Sequence, residues 1–118
     1  MDINKLFNID GKTALITGGS RGIGEMIAAG FLANGVKVYI TARKEAPLIE
    51  KAKELSEKFN GECIAIPCDL SNMEGIQKLA SDYLDHEDSL DILVNNAGAA
   101  WGEPVSYTHL TLPTRLMV

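Results

Sequence analysis

The sequence predicts an α/β fold of the doubly wound kind, a parallel sheet with helices on both faces. Short apolar segments alternate with longer segments of helical periodicity, in the order β-α-β-α-β-α-β. A glycine-rich run, Thr17-Gly18-Gly19-Ser20-Arg21-Gly22-Ile23-Gly24, stands between the first strand and the first helix. Two polar motifs, Cys68-Asp69-Leu70 and Asn95-Asn96-Ala97-Gly98, directly follow the third and fourth strands. Right-handed crossovers then give a strand order of 3-2-1-4 with three helices, the first two on one face and the third on the other.

The first strand is read from Lys12 to Thr17. The first helix is read from Gly22 to Asn34, with Ile23, Ile27 and Phe31 recurring every four residues as its buried stripe. Gly30 beside that stripe would let the helix approach the sheet, and Gly35 is a natural stop. Val36 to Thr41 forms the second strand. The second helix covers Ala46 to Asn60, buries Leu48, Ala52, Leu55 and Phe59, carries Pro47 in its first turn and is closed by Gly61. Cys63 to Pro67 is the third strand. Ser71, with Glu74 three residues on, reads as the N-cap of a third helix that runs through Met73, Ile76, Ala80 and Tyr83. Leu90 to Val94 is the fourth strand.

Composition limits the partners. The chain has 118 residues, 46% hydrophobic and 23% charged, the size of one ordinary domain but small for a complete α/β enzyme. A net charge of −5 without a basic patch argues against nucleic acid and anionic membranes. There is no apolar run long enough for a membrane span and no signal pattern at the N-terminus, which gives a cytoplasmic expectation. Cys63 and Cys68, five residues apart, are expected on opposite faces of one strand, unpaired and buried, and no metal-ligand spacing is present. His86 and His109 read as surface residues, and Asp82, Asp85, Glu87, Asp88 and Asp91 as a solvated helix end.

The glycine run carries the first chemical argument. Gly18 permits a sharp turn off the strand, while Gly22 and Gly24 remove side chains where a phosphate and the sheet must come close. Backbone N–H groups and a helix N-terminus then face a dinucleotide pyrophosphate. The spacing is Gly-x-x-x-Gly-x-Gly, distinct from the general Gly-x-Gly-x-x-Gly fingerprint. Asp69 and Asn95 sit at the carboxyl ends of strands, where open α/β sheets take their ligands.

Cofactor choice follows from charge. Strand two ends Ile40-Thr41-Ala42-Arg43, without the acid that bonds a ribose 2′-hydroxyl in NAD enzymes. Arg43 can grip a 2′-phosphate bidentately, and Arg21 in the glycine loop can approach the same group. NADP(H) is therefore expected in preference to NAD.

Together, Thr17-Gly18-x-x-x-Gly22-x-Gly24, Asp69 and Asn95-Asn96-Ala97-Gly98 resemble the cofactor half of the short-chain dehydrogenase/reductase family, a Rossmann fold, over about Phe7 to Pro104. The resemblance implies that Gly18, Ser20, Arg21, Gly22, Ile23 and Gly24 hold the pyrophosphate side of the cofactor. It implies that Asp69 bonds the adenine amino group with Leu70 beside the ring. It also implies that Asn95 braces strand four while Ala97 and Gly98 line the adenosine ribose. The look is closest to 3-oxoacyl-[acyl-carrier-protein] reductases, with sugar and polyol dehydrogenases as alternatives. By the same resemblance the parent would be a homotetramer acting on a small carbonyl or alcohol. Trp101 would border the substrate side or pack its loop.

The family's catalytic serine and Tyr-x-x-x-Lys pair are not found. Tyr39, Tyr83 and Tyr107 are followed four residues on by Arg43, Glu87 and Thr111. Residues 1–104 are thus read as a nucleotide-binding half-domain, truncated before the catalytic residues. Residues 105–118 hold none of the 16 acidic residues and show no helical stripe. They are read as an unstructured, non-native tail resembling adapter read-through. That reading leaves strand four an open edge, predicts a marginally stable chain and excludes the family tetramer for it. The alternative for these 118 residues is a non-catalytic nucleotide-binding fragment or a sequence artefact.

Overall fold

The computed structural model describes residues 8–18, 22–96 and 114–117. The elements are β1 (Thr13–Thr17), α1 (Gly22–Ala33), β2 (Lys37–Thr41), α2 (Glu45–Phe59), β3 (Cys63–Ala65), α3 (Met73–Leu84), β4 (Leu90–Asn95) and β5 (Thr114–Met117). They form one parallel sheet in the order β3-β2-β1-β4-β5. The expected 3-2-1-4 core is present, and its strand ends are in step. Thr17 pairs with Thr41 on one side and with Asn95 on the other, so three strands finish on one line.

Alternation along each strand divides the core into two layers. Ala14, Ile16, Val38, Ile40, Ile92 and Val94 pack under Ala28 and Leu32 of α1 and Leu48, Ala52 and Leu55 of α2. Leu15, Tyr39 and Leu93 face the other way, against Leu79 and Tyr83 of α3. The two cysteines follow this division, Cys63 in the first layer and Cys68 in the second, both free. Lys51 of α2 reaches Glu25 of α1 at 2.7 Å and ties the two helices on their shared face. Among the described residues no helix is long and apolar enough to cross a membrane.

Four local expectations are corrected. The buried stripe of α1 is Gly24, Ala28 and Leu32, one residue later than expected; Ile27 and Phe31 are partly buried, and Ile23 is 67% exposed. Small residues face the sheet, so the helix seats close and turns its larger side chains to the flanks. Gly30, expected at that approach, has nothing within 4 Å of where a Cβ would stand. The N-cap of α3 is Asn72, whose Oδ1 accepts the Gly75 N–H at 2.8 Å. Ser71 is drawn away because its own N–H donates to Asp69 at 2.9 Å. Consequently Met73 lies at the exposed first turn and Leu79, not Ala80, completes the buried set with Ile76 and Tyr83. Finally, α2 ends at Asn60 in the left-handed conformation (φ 50) rather than at Gly61, whose N–H instead returns to the Ser56 carbonyl at 3.2 Å.

The fourth correction concerns the edge. Strand β4 is not open: Leu90 pairs with Thr114, Ile92 with Leu116 and Leu93 with Met117, all parallel. The lack of a helical stripe in residues 105–118 does not oppose an extended segment. The remainder of the expected tail, residues 105–113 and 118, lies outside the described residues.

Candidate functional site

The line where β1, β2 and β4 end is organised by two buried threonine hydroxyls. Thr17 and Thr41 are fully buried, the polar exceptions within the described core. Thr17 Oγ1 accepts the Asn96 N–H at 2.8 Å and donates to Asn95 Oδ1 at 3.2 Å, with the Val94 carbonyl at 3.4 Å. The hydroxyl therefore locks the end of β4 to the residue that opens the glycine run. Gly18 N–H donates to the Thr41 carbonyl at 2.8 Å, locking the same point to β2.

The chain then turns away from the sheet through glycines. Gly18 (φ 70) and Gly22 (φ 63) both adopt the left-handed conformation, which costs other residues free energy. Gly24 serves differently. A Cβ there would lie 2.3 Å from the Gly18 carbonyl oxygen and 2.6 Å from Asn96 Nδ2. Helix α1 can thus start directly against the strand ends, with its unbonded N–H groups at the sheet's edge.

Asp69 and Arg43 flank this edge on the β2–β3 side. Ser71 bonds the Asp69 carboxyl through its hydroxyl and its amide, and the Arg43 charge adds to this, so the carboxyl titrates below the usual carboxylate range. Arg43 is exposed, and Leu70 packs partly buried against the α3-side layer. Asn95 is exposed at the end of β4, with its side-chain oxygen engaged by Thr17. The structure thus brings Gly18, Gly22, Ile23, Gly24, Arg43, Asp69, Leu70 and Asn95 to one edge of the sheet or onto the elements that leave it. Ser20, Arg21, Ala97, Gly98, Trp101, Tyr107 and His109 lie outside the described residues. No group of three or more His, Cys, Asp or Glu able to hold a metal is present among the described residues.

The motif reading gave no part to Thr41, Cys68 or Asn96, which make hydrogen bonds between neighbouring strand ends. The signal for Thr41 was faint but real: a hydroxyl at the last position of a buried parallel strand must find a partner.

The acidic stretch is not uniformly solvated as expected. At the opposite, amino end of the sheet, Glu87 accepts a hydrogen bond from the Tyr39 hydroxyl and pairs with Lys37 at 2.7 Å. Asp91 accepts the Thr13 N–H at 3.0 Å. His86 is exposed as expected, its ring tilted over Tyr39 at 5.9 Å between centroids.

Comparison with known proteins agrees with this geometry. The family model described as short chain dehydrogenase matches residues 12–117. The rhamnolipids biosynthesis 3-oxoacyl-[acyl-carrier-protein] reductase of Pseudomonas aeruginosa is 49% identical over 96 residues, covering 81% of this chain and 37% of that protein. The fatty acyl-CoA reductase of Acinetobacter baylyi is 42% identical over 91 residues, 77% of this chain and 30% of that protein. Among solved structures, the RhlG/NADP active-site complex of Pseudomonas aeruginosa superposes with a TM-score of 0.75 at 48% identity, covering 85% of this chain and 38% of that one. L-sorbose reductase from Gluconobacter frateurii, complexed with NADPH and L-sorbose, gives a TM-score of 0.74 at 39% identity, covering 78% and 35%. The chain spans about a third of the length of the curated relatives it matches.

Proposed function

Because the chain belongs to the short chain dehydrogenase family, we propose that it is the cofactor-binding part of an NADP(H)-dependent oxidoreductase acting on a carbonyl or secondary alcohol. The observation that carries the cofactor choice is the end of β2: Arg43, exposed just past the strand, stands where an NAD enzyme needs an acid. A carboxylate there would repel a 2′-phosphate, whereas a guanidinium binds it with two parallel hydrogen bonds.

The residues present fit this group. The left-handed turns at Gly18 and Gly22 carry the chain off the sheet, and the close approach at Gly24 sets the start of α1 against the strand ends, where its N–H groups can face a pyrophosphate. Asp69 would receive the adenine amino group, with Leu70 beside the ring. Ser20, Arg21, Ile23, Ala97 and Gly98 join the site on the strength of their motifs. Asn95 would keep β4 aligned through Thr17. The nicotinamide of the bound cofactor would give a hydride to a carbonyl or take one from an alcohol. The polarising serine and the tyrosine–lysine proton relay of the family have no counterpart in the 118 residues. Catalysis would therefore require residues that this sequence does not include. A 3-oxoacyl substrate is favoured by the likeness to the Pseudomonas reductase, and a sugar or polyol is the alternative.

Equilibrium titration of the chain with NADPH and NADH tests the reading. Saturable binding with NADPH preferred by tenfold or more is expected; equal affinity, or no binding, would sink it. For the chain taken alone, the absent Tyr-x-x-x-Lys favours a second description, a nucleotide-binding polypeptide without turnover.

A further inference from the structure

The end of β2 and the segment leaving β3 are joined by a buried side-chain contact. Thr41 Oγ1 lies 2.8 Å from Cys68 Sγ, with Thr41 fully buried and Cys68 nearly so. The backbones are tied beside it. The ladder continues past the last strand residue of β3, with Ile66 N–H donating to the Ile40 carbonyl at 2.9 Å and Cys68 N–H to the Ala42 carbonyl at 3.0 Å. Ala42 and Cys68 are the last rung. Arg43 and Asp69 are the next residues on either side, the first that the ladder does not hold. Burial also keeps Cys68 protonated, so the contact is a neutral thiol–hydroxyl hydrogen bond.

Two segments leaving a sheet can diverge freely unless something crosses between them. Here the crossing lies within two residues of both groups assigned to the adenosine end of the cofactor. We propose that Thr41 and Cys68 are positioning residues which set the spacing of Arg43 from Asp69, and through it the discrimination between nucleotides with and without a 2′-phosphate. The inference rests on the reading of this edge as the adenosine 2′-phosphate site.

The test is calorimetric titration of the full chain with adenosine 2′,5′-bisphosphate and with 5′-AMP. Thr41→Val and Cys68→Val keep the approximate shape and remove the hydrogen bond. Thr41→Ser and Cys68→Ser keep it. The readout is the ratio of the two affinities, which loss of folded protein leaves unchanged because both ligands sample the same folded population. Each valine variant should lower the ratio about three- to tenfold, the scale of one buried hydrogen bond. Each serine variant should restore it to within about twofold. If the unmodified chain shows no preference for the bisphosphate, the site reading fails and this inference with it. If the unmodified chain discriminates and the valine variants keep the same ratio, the pair is packing alone, and only this inference falls.

Discussion

The two ends of the sheet use their polar residues in opposite ways. At the amino end, charges and phenols are bonded to one another or to the backbone: Glu87 to Tyr39 and Lys37, Asp91 to the Thr13 N–H, and the Tyr83 hydroxyl to the Ser89 carbonyl at 2.6 Å. The rings of Tyr39 and Tyr83 meet edge to face at 4.9 Å below this network. At the carboxyl end the strands are tied by small buried hydroxyls, those of Thr17 and Thr41. That leaves Arg43 exposed and Asp69 in a short local turn, both at the rim. One end spends its charges on cohesion. The other holds itself together with neutral groups and leaves the Arg43 charge exposed.

Variants at the two ends should therefore separate stability from binding. The largest effect is expected for Gly24→Val, which sets side-chain carbon against the Gly18 carbonyl and Asn96. Helix α1 must shift, so NADPH titration should show at least a hundredfold loss, with about 1–3 kcal/mol of lost stability in urea melts. Near-normal NADPH affinity in a folded Gly24→Val chain would break the assignment of the carboxyl end.

Arg43→Ala sharpens the comparison from the same side. It removes an exposed charge and no packing, so urea melts should stay within about 0.5 kcal/mol. NADPH affinity should fall ten- to a hundredfold while NADH affinity holds, the scale of a charge-assisted bond. An equal fall for both nucleotides would show that Arg43 does not read the 2′-phosphate.

Glu87→Gln is the mirror experiment at the amino end. Burial opposes the Glu87 charge, but the Lys37 ammonium and the Tyr39 hydroxyl outweigh it and hold the carboxyl below its ordinary range. The loss should be about 1–2 kcal/mol of stability at pH 7, toward the low side because Lys37 is partly exposed, with nucleotide affinity unchanged. A change in NADPH affinity would show that the two ends are coupled.

The smallest effect is the pH dependence of that difference. A depressed folded pKa contributes stability that is complete above the unfolded value, 4.5 for Glu87, and lost as pH falls through the folded pKa. The gap between unmodified and Glu87→Gln chains should therefore be constant from pH 7 to about 5.5 and close below 4.5. A gap that widens on acidification would reverse the sign assigned to Glu87. Cys63, whose thiol burial pushes up to about 12, should stay unreactive to thiol reagents in the folded chain throughout this range.

Much of the fold was legible because period and punctuation agreed. The apolar segments of β1, β2 and β4 and the Leu48–Ala52–Leu55 stripe of α2 are local patterns, and they packed as read, with Phe59 of the same stripe partly buried. The α1 stripe was misread by one residue because periodicity weights large apolar side chains, while the sheet selected the small face that could come closest. The α3 cap was misread because Ser71 and Asn72 are both good caps, and Asp69 took the Ser71 amide first.

The sequence by itself determined the alternation of elements, the two-faced strands and the chemistry gathered at the strand ends, since each is written in neighbours a few residues apart. Only the tertiary structure decided which polar groups meet. The pairs Thr17–Asn96, Thr41–Cys68 and Tyr39–Glu87 join residues 79, 27 and 48 positions apart. Strand β5 against β4 is of the same kind. Such pairings depend on strand register and crossover, and no local pattern encodes them.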